Sequence, residues 1–296
     1  MGKLLLALLP SAVMVLAPAP AMAWGFAAHE LITRHSIALL PPELKPFYEH
    51  FLNVVEIRVT DADRMKAVSG WDDEPNHFVD FGVPEYGKPP FALLPREHGA
   101  ALQKFGWATL RKYGTLPWRE EEMSGALRRA FEGIPRKGAF ATSDVTTFTG
   151  MAAHYIQDAH QPFHATDNFD GLKTGNDGIH SRFETELFLR FASRLRLKPA
   201  LPQVIASPRD AAFDALIASH AQLDRILAAD DAARRGKEFY DDEYFEKFFA
   251  AVQPILEERL SAAITATASV IVTAWEQAGR PVMYTELPRA PQRVRR

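Results

Sequence analysis

The residues best suited to chemistry gather in one stretch, His154-Tyr155-Ile156-Gln157-Asp158-Ala159-His160-Gln161-Pro162-Phe163-His164. His154 and Asp158 are four residues apart, so on a helix their side chains share one face. Pro162 disfavours helical geometry at Gln161, which predicts a helix end there and His164 returning from a loop. A helix that presents His and Asp side by side, with a third ligand type just beyond it, reads as a metal platform. The plainer reading is a buried His–Asp hydrogen bond. A second pair, His180 and Glu184, repeats the spacing, and its plainer reading is an exposed ion pair. Two such pairs with His164 between them favour metal.

Further candidates lie upstream. His77 follows a stretch holding Asp61 and Asp63, which spacing alone does not separate. At Trp24, a free N-terminus would offer an amine and a carbonyl oxygen as a five-membered chelate, with His29 five residues on. The chain has no cysteine, so thiolate zinc sites and cysteine nucleophiles are excluded and any metal is held by nitrogen and oxygen. It has no glycine-rich phosphate loop and no nucleophile-elbow serine. His35, His50, His98 and His220 read as surface or core-edge residues. His160 is six residues past His154 and points away from its face. The aromatics of 239–249 read as core.

These residues need elements to position them, and the periodicity is helical almost throughout. Helices are expected over 29–40, 43–59, 97–113, 118–131, a central one from Ser143 or Asp144 to about His160, then 181–197, 208–229 and 241–277. Residues 60–97 are rich in Gly and Pro and read as a long functional loop, and 168–178 as turns. The expectation is a single multi-helical all-α domain over 24–287. A basic tail over 288–296 follows.

The first 23 residues, with Lys3, an apolar run from Leu4 to Leu16 and Ala21-Met22-Ala23, read as a secretory signal peptide cleaved after Ala23. That run is short for a bilayer span, so the mature chain is expected to be periplasmic or secreted and not an integral membrane protein. Loss of Lys3 takes the net charge from −3 to −4, and no polybasic tract marks a stable nucleic-acid partner. A polyanionic substrate would have to be held through metal. Without disulfides, an exported chain must rely on core burial, bound metal or both. About 270 residues suffice for one large core.

Taken in order, these residues resemble the zinc-dependent phospholipase C and single-strand-specific nuclease superfamily, an all-α fold with three zinc ions. The resemblance runs from Trp24 to Glu184: Trp24-Gly25-x-x-x-His29, Asp63 fourteen residues before His77, His154-x-x-x-Asp158-x-x-x-x-x-His164, and His180-x-x-x-Glu184. It favours Asp63 over Asp61. It implies one zinc on Asp63, His77, His154 and Asp158, and a second on Trp24, His29 and the shared Asp158. The third would take His164, His180 and Glu184. Carboxylate bridging holds two cations roughly 3.5–4 Å apart. Asp63 would also accept a proton, and Lys66 stands where the nucleases carry a phosphate-neutralising Arg.

The resemblance thus implies an exported trinuclear-zinc phosphodiester hydrolase, phospholipase C-like, cleaving by a zinc-bridging hydroxide. Glu184 matches the phospholipases where the nucleases tend to have Asp, whereas the Trp-Gly opening is nuclease-like. A single-strand nuclease and 3′-nucleotidase is the alternative, and a non-catalytic periplasmic zinc-binding protein the second. Substrate choice would rest on the loops 78–97 and 165–178 and on Phe78, Phe81, Tyr86 and Phe91, which could seat an acyl chain or stack a base.

Overall fold

The computed structural model describes residues 24–66, 68, 72–136 and 140–285; the expected signal peptide 1–23 and basic tail 288–296 lie outside the described residues. Helical spacing becomes helix in chain order: α1 (Phe26–Ala38), α2 (Lys45–His50), α3 (Leu52–Arg58), α4 (Asp61–Lys66), α5 (His98–Tyr113), α6 (Leu116–Gly133), α7 (Ala141–Asp158), α8 (Ile179–Ser181), α9 (Leu187–Phe191), α10 (Pro208–His220), α11 (Leu223–Arg234) and α12 (Asp242–Gln277). No strand occurs among the described residues, in agreement with the all-α expectation.

α7 is buried over most of its length, with small and apolar side chains through its middle and the polar His154, Gln157 and Asp158 buried at its C-terminal end. It packs against α1, α3, α4, α6 and α12. Gly150 permits the closest of these approaches: a Cβ there would lie 2.4 Å from Arg58 Cβ and 2.6 Å from its carbonyl carbon. α12, the longest helix, packs against α1, α6, α7, α9, α10 and α11.

Several boundaries differ from the sequence expectation. The helix expected over 43–59 breaks at Phe51 (φ −101°, ψ 15°) into α2 and α3. The expected loop 60–97 opens with α4, which carries two carboxylates in its first turn, where the helix dipole favours them. α7 starts at Ala141, ahead of the Ser and Asp expected to cap it, and Phe140 precedes it without a side-chain cap bond. The helix expected over 208–229 divides into α10 and α11. That expected over 181–197 is α8, a π turn (Arg182–Glu186), α9 and a 3-10 turn ending at Arg194.

Beyond that turn the chain runs extended along α12 through a ladder periodicity does not reveal. The backbone N–H groups of Arg196, Lys198, Ala200, Gln203 and Ile205 donate to the side chains of Glu257, Ser261, Thr265, Ser269 and Thr273, at 2.9–3.1 Å. The acceptors recur every four residues and form one stripe of the helix. Ser261, Thr265 and Ser269 donate their own hydroxyls to the carbonyl four residues back, leaving lone pairs for the strap.

Candidate metal centre

The Pro-terminated end of α7 collects ligand-type atoms from five other segments. Three buried groups form: Asp63, His77 and His154; His29, His154 and Asp158; and His164, His180 and Glu184, each with ligand atoms within 4.8 Å of one another. α1 brings His29, α4 brings Asp63, and a 3-10 turn (Glu74–His77) brings His77. His164 closes a second 3-10 turn (Pro162–His164), after Gln161 adopts extended backbone ahead of Pro162. His180 lies in α8 and Glu184 in the π turn. π turns of this kind are frequent at functional sites.

Hydrogen bonds fix which nitrogen of His29, His77, His154 and His164 faces its group. His154 Nδ1–H donates to Val59 O at 2.7 Å, leaving the Nε2 lone pair free. His77 Nε2–H donates to Asp73 Oδ2 at 3.1 Å, leaving Nδ1. The two lone pairs then face each other, His154 Nε2 to His77 Nδ1, at 2.9 Å. Asp158 Oδ2 lies 2.9 Å from His77 Nδ1 and 3.2 Å from His154 Nε2. Acceptors converging so closely require a cation or a proton among them. Asp158 turns its other oxygen to the second group, with Oδ1 3.4 Å from His29 Nε2. His29 Nδ1–H donates to Gln157 Oε1 at 2.6 Å, and Gln157 donates on to Thr33. In the third group, His164 Nδ1–H donates to His77 O at 2.7 Å, and His180 Nε2 lies 3.0 Å from Glu184 Oε2.

These groups also hold most of the orphaned polar atoms in the interior. Of thirteen buried side-chain nitrogens and oxygens without a hydrogen-bond partner among the described residues, seven belong here: His29 Nε2, both Asp63 oxygens, Asp158 Oδ1, both His180 nitrogens and Glu184 Oε1. An orphaned buried polar atom costs about 1–3 kcal/mol, so seven together indicate atoms made for a ligand. Lys66 Nζ lies 2.8 Å from Asp63 Oδ1, but off hydrogen-bond alignment. The donor set is imidazole and carboxylate, which suits zinc and other borderline divalent ions.

The electrostatics agree with cation binding. Burial pushes the Asp158 carboxyl up, but His154 and His164 more than offset it and hold it well below the usual carboxylate range. Asp63 behaves similarly: burial opposes ionisation, while His154 and Lys66 hold its carboxyl down. Burial pushes His154 down, yet Asp158 and Asp63 raise it above the usual imidazole value. His164 is pushed down to about 3, chiefly by burial, and is neutral at pH 7. Neutral imidazole is the ligating form.

Trp24 is fully buried beside this centre. Its indole Nε1–H donates to Gln157 O at 3.0 Å, and its ring packs near Phe183. The next residue must be small: a Cβ on Gly25 would lie 2.9 Å from Thr185 Oγ1 in the π turn. Asp61 turns away to Arg58 at 2.9 Å and joins none of the three groups. His160 likewise joins none and donates to Ile156 O.

One sequence expectation is corrected. Phe81, Tyr86 and Phe91 do not line a substrate wall: they are 1%, 0% and 3% exposed and belong to the hydrophobic core, with Phe81 and Phe91 stacked. The exposed apolar residue beside the centre is instead Phe169, 49% exposed, whose ring makes a T-shaped contact with the His180 ring at 6.4 Å between centroids. His98 sits at the core edge, with its Nε2 buried and its ring packed on Trp118.

Sequence reasoning missed the outer residues. Asp73 orients His77 and is itself held by Tyr155 OH at 2.8 Å and Asn76 Nδ2 at 2.8 Å. A carboxylate on the far nitrogen of a ligating His fixes its tautomer and raises its basicity. Burial opposes ionisation of Asp73, but the hydrogen bonds from His77, Asn76 and Tyr155 lower its pKa. Its four-residue spacing from His77 was the available signal. Gln157 and Gln161 were equally unread; Gln161 Nε2 donates to Glu184 Oε2 at 2.8 Å.

No protein-family model matches the chain, and no curated protein matches it. Among solved structures, it is similar to a crystal structure of Clostridium perfringens alpha-toxin isolated from an avian strain, with 13% identity and a TM-score of 0.49. The match covers 82% of this chain and 63% of that one, so this chain spans less than two thirds of that protein.

Proposed function

We propose that the chain is a zinc-dependent hydrolase of phosphodiesters holding three zinc ions, with phospholipids as the leading substrate class. The observation that carries this reading is Asp158, whose two oxygens face two different groups of imidazoles. Asp63, His77, His154 and Asp158 would hold one ion. His29, Asp158 and the amine and carbonyl of Trp24 would hold a second, and His164, His180 and Glu184 a third. Zinc bound there supplies Lewis acidity toward a phosphoryl oxygen and acidifies a water to a pKa of about 7.

The chain's own residues do the rest. Asp73, Val59 O, Gln157 and His77 O aim the imidazoles before any ion arrives, so little reorganisation is needed. Lys66, whose Nζ lies 2.8 Å from Asp63 Oδ1, would meet an anionic phosphoryl group. Burial pulls its ammonium down, but Asp63 and Asp158 raise it, so it stays charged. The lowered Asp63 carboxyl suits a ligand better than a proton acceptor.

Phe169 offers an exposed apolar ring beside the third group, which favours a lipid chain over an extended nucleic-acid track. A single exposed aromatic could also stack a base, which keeps the single-strand nuclease as the second reading. Zinc-loaded mature protein should be given phosphatidylcholine and single-stranded DNA side by side. Release of phosphocholine without DNA cleavage supports the first reading; the reverse result replaces it with the second.

A further inference from the structure

The third group is carried by a segment with an anchor of its own. Arg182, between His180 and Glu184 in sequence, is 7% exposed. Its Nε–H donates to Tyr244 OH at 3.0 Å, and Nη1 to Asp177 O at 2.5 Å. Nη2 reaches Asn176 O at 3.2 Å and both oxygens of Asp230 at 3.1 and 3.2 Å. The Tyr240 ring covers the guanidinium at 4.0 Å. Asp230, fully buried, also accepts from Tyr244 OH and from Asn176 Nδ2. Asn176, fully buried, reaches Asp231 as well, at 3.0 Å.

One buried ion pair therefore joins the turn-rich loop before α8, the π turn, α11 and the start of α12. Such pairs are poor sources of stability, because desolvating both charges cancels most of their attraction. A planar guanidinium with its donors committed in several directions is better suited to fixing geometry. The geometry it fixes is a helix interrupted by a π turn, which carries two of the three ligand residues. His154 and Asp158 of the first two groups sit instead on α7, which packs against α1, α3, α4, α6 and α12.

We propose that Arg182 and Asp230 are positioning residues for the third group, holding the π turn so that His180 and Glu184 converge on one ion. This rests on the metal reading above. Neither residue would touch metal or substrate, and both would act through the backbone of 176–184.

The test uses the full mature chain loaded with zinc and counts metal retained per chain across a chelator series. It compares the wild type with Asp230→Asn, Tyr244→Phe and Glu184→Ala. Asp230→Asn is expected to release one equivalent at a chelator concentration on the order of tenfold lower than wild type, while the others leave at the wild-type concentration. Tyr244→Phe, which keeps the ring and loses the shared hydroxyl, should shift the same equivalent by less. A merely structural role would instead lower the melting temperature and release all equivalents together. That result, or folded variants that keep every equivalent at the wild-type concentration, overturns the proposal. If Asp230→Asn does not fold, Tyr244→Phe decides by the same criterion. If Glu184→Ala removes no metal, the metal reading of this group fails first, and the positioning proposal falls with it.

Discussion

Asp158 touches more of the candidate centre than any other side chain, with His29, His77, His154 and His164 all within 3.6 Å of its carboxylate. Asp158→Asn should therefore deplete two ions and abolish activity, whereas Glu184→Ala should deplete only the third; elemental analysis of the two variants separates these outcomes. Equal loss from both would argue against separable groups. A different residue sets a pH dependence. Asp80 is pushed up to about 7, by burial first and by the Asp167 carboxylate second. A carboxyl raised above its unfolded value of about 3.9 contributes stability that is full below that value and lost as pH rises through 7. Asparagine mimics its neutral form. Asp80→Asn should thus raise the melting temperature of the metal-loaded protein by a few degrees at pH 8 and change it little at pH 4.5. An equal gain at both pH values would show that ionisation of Asp80 is not the cause. At this scale the sequence was informative: all eight His and carboxylate positions expected as ligands fall in the three groups. Asp73 escaped although it stands four residues before His77, because it lies in a stretch read as loop, where that spacing implies no shared face.

Elements were legible where the apolar pattern is long and uniform, as in α12, whose expected start lay within one residue of the observed one. They were less so where a polar side chain decides the geometry. The π turn at Arg182–Glu186 leaves no trace in periodicity, and its Arg182 guanidinium is tied to Asp230 and Tyr244, far away in sequence. The strap over 195–205 is similar: its partners recur every four residues on α12 but lie more than sixty residues away. Each rung is exposed or part-buried, so water can replace a lost acceptor and Thr265→Val should cost about 1 kcal/mol or less. The triple change Ser261→Ala, Thr265→Val, Ser269→Ala should speed hydrogen exchange at the amides of Lys198, Ala200 and Gln203 well beyond the global rate. Unchanged exchange at those amides would show that the ladder does not hold the strap.

The whole molecule ties five segments and the central helix α7 into one buried polar centre, with Trp24 packed beside it. The placement of Trp24 ties this centre to processing. Its indole is bonded to Gln157 O, next to Asp158, yet its amine is free only once the preceding peptide bond is cut. A version carrying one extra residue before Trp24 should lose one metal equivalent, while Trp24→Phe should keep it, because phenylalanine retains the amine, the carbonyl and most of the packing. Full metal content in the extended version would remove the N-terminal chelate from the account. No described helix is long and apolar enough to cross a membrane.

The central claim is that the converging imidazoles and carboxylates are a zinc centre that hydrolyses phosphodiesters. The most direct measurement counts metal per chain in the mature protein, strips it with chelator, and follows hydrolysis of a simple phosphodiester as zinc is returned. The account predicts three zinc equivalents, loss of activity and a lowered melting temperature on stripping, and recovery of both with zinc, because metal binding free energy is also folding free energy here. A chain that holds no stoichiometric metal, or that hydrolyses the ester equally well after stripping, would contradict it.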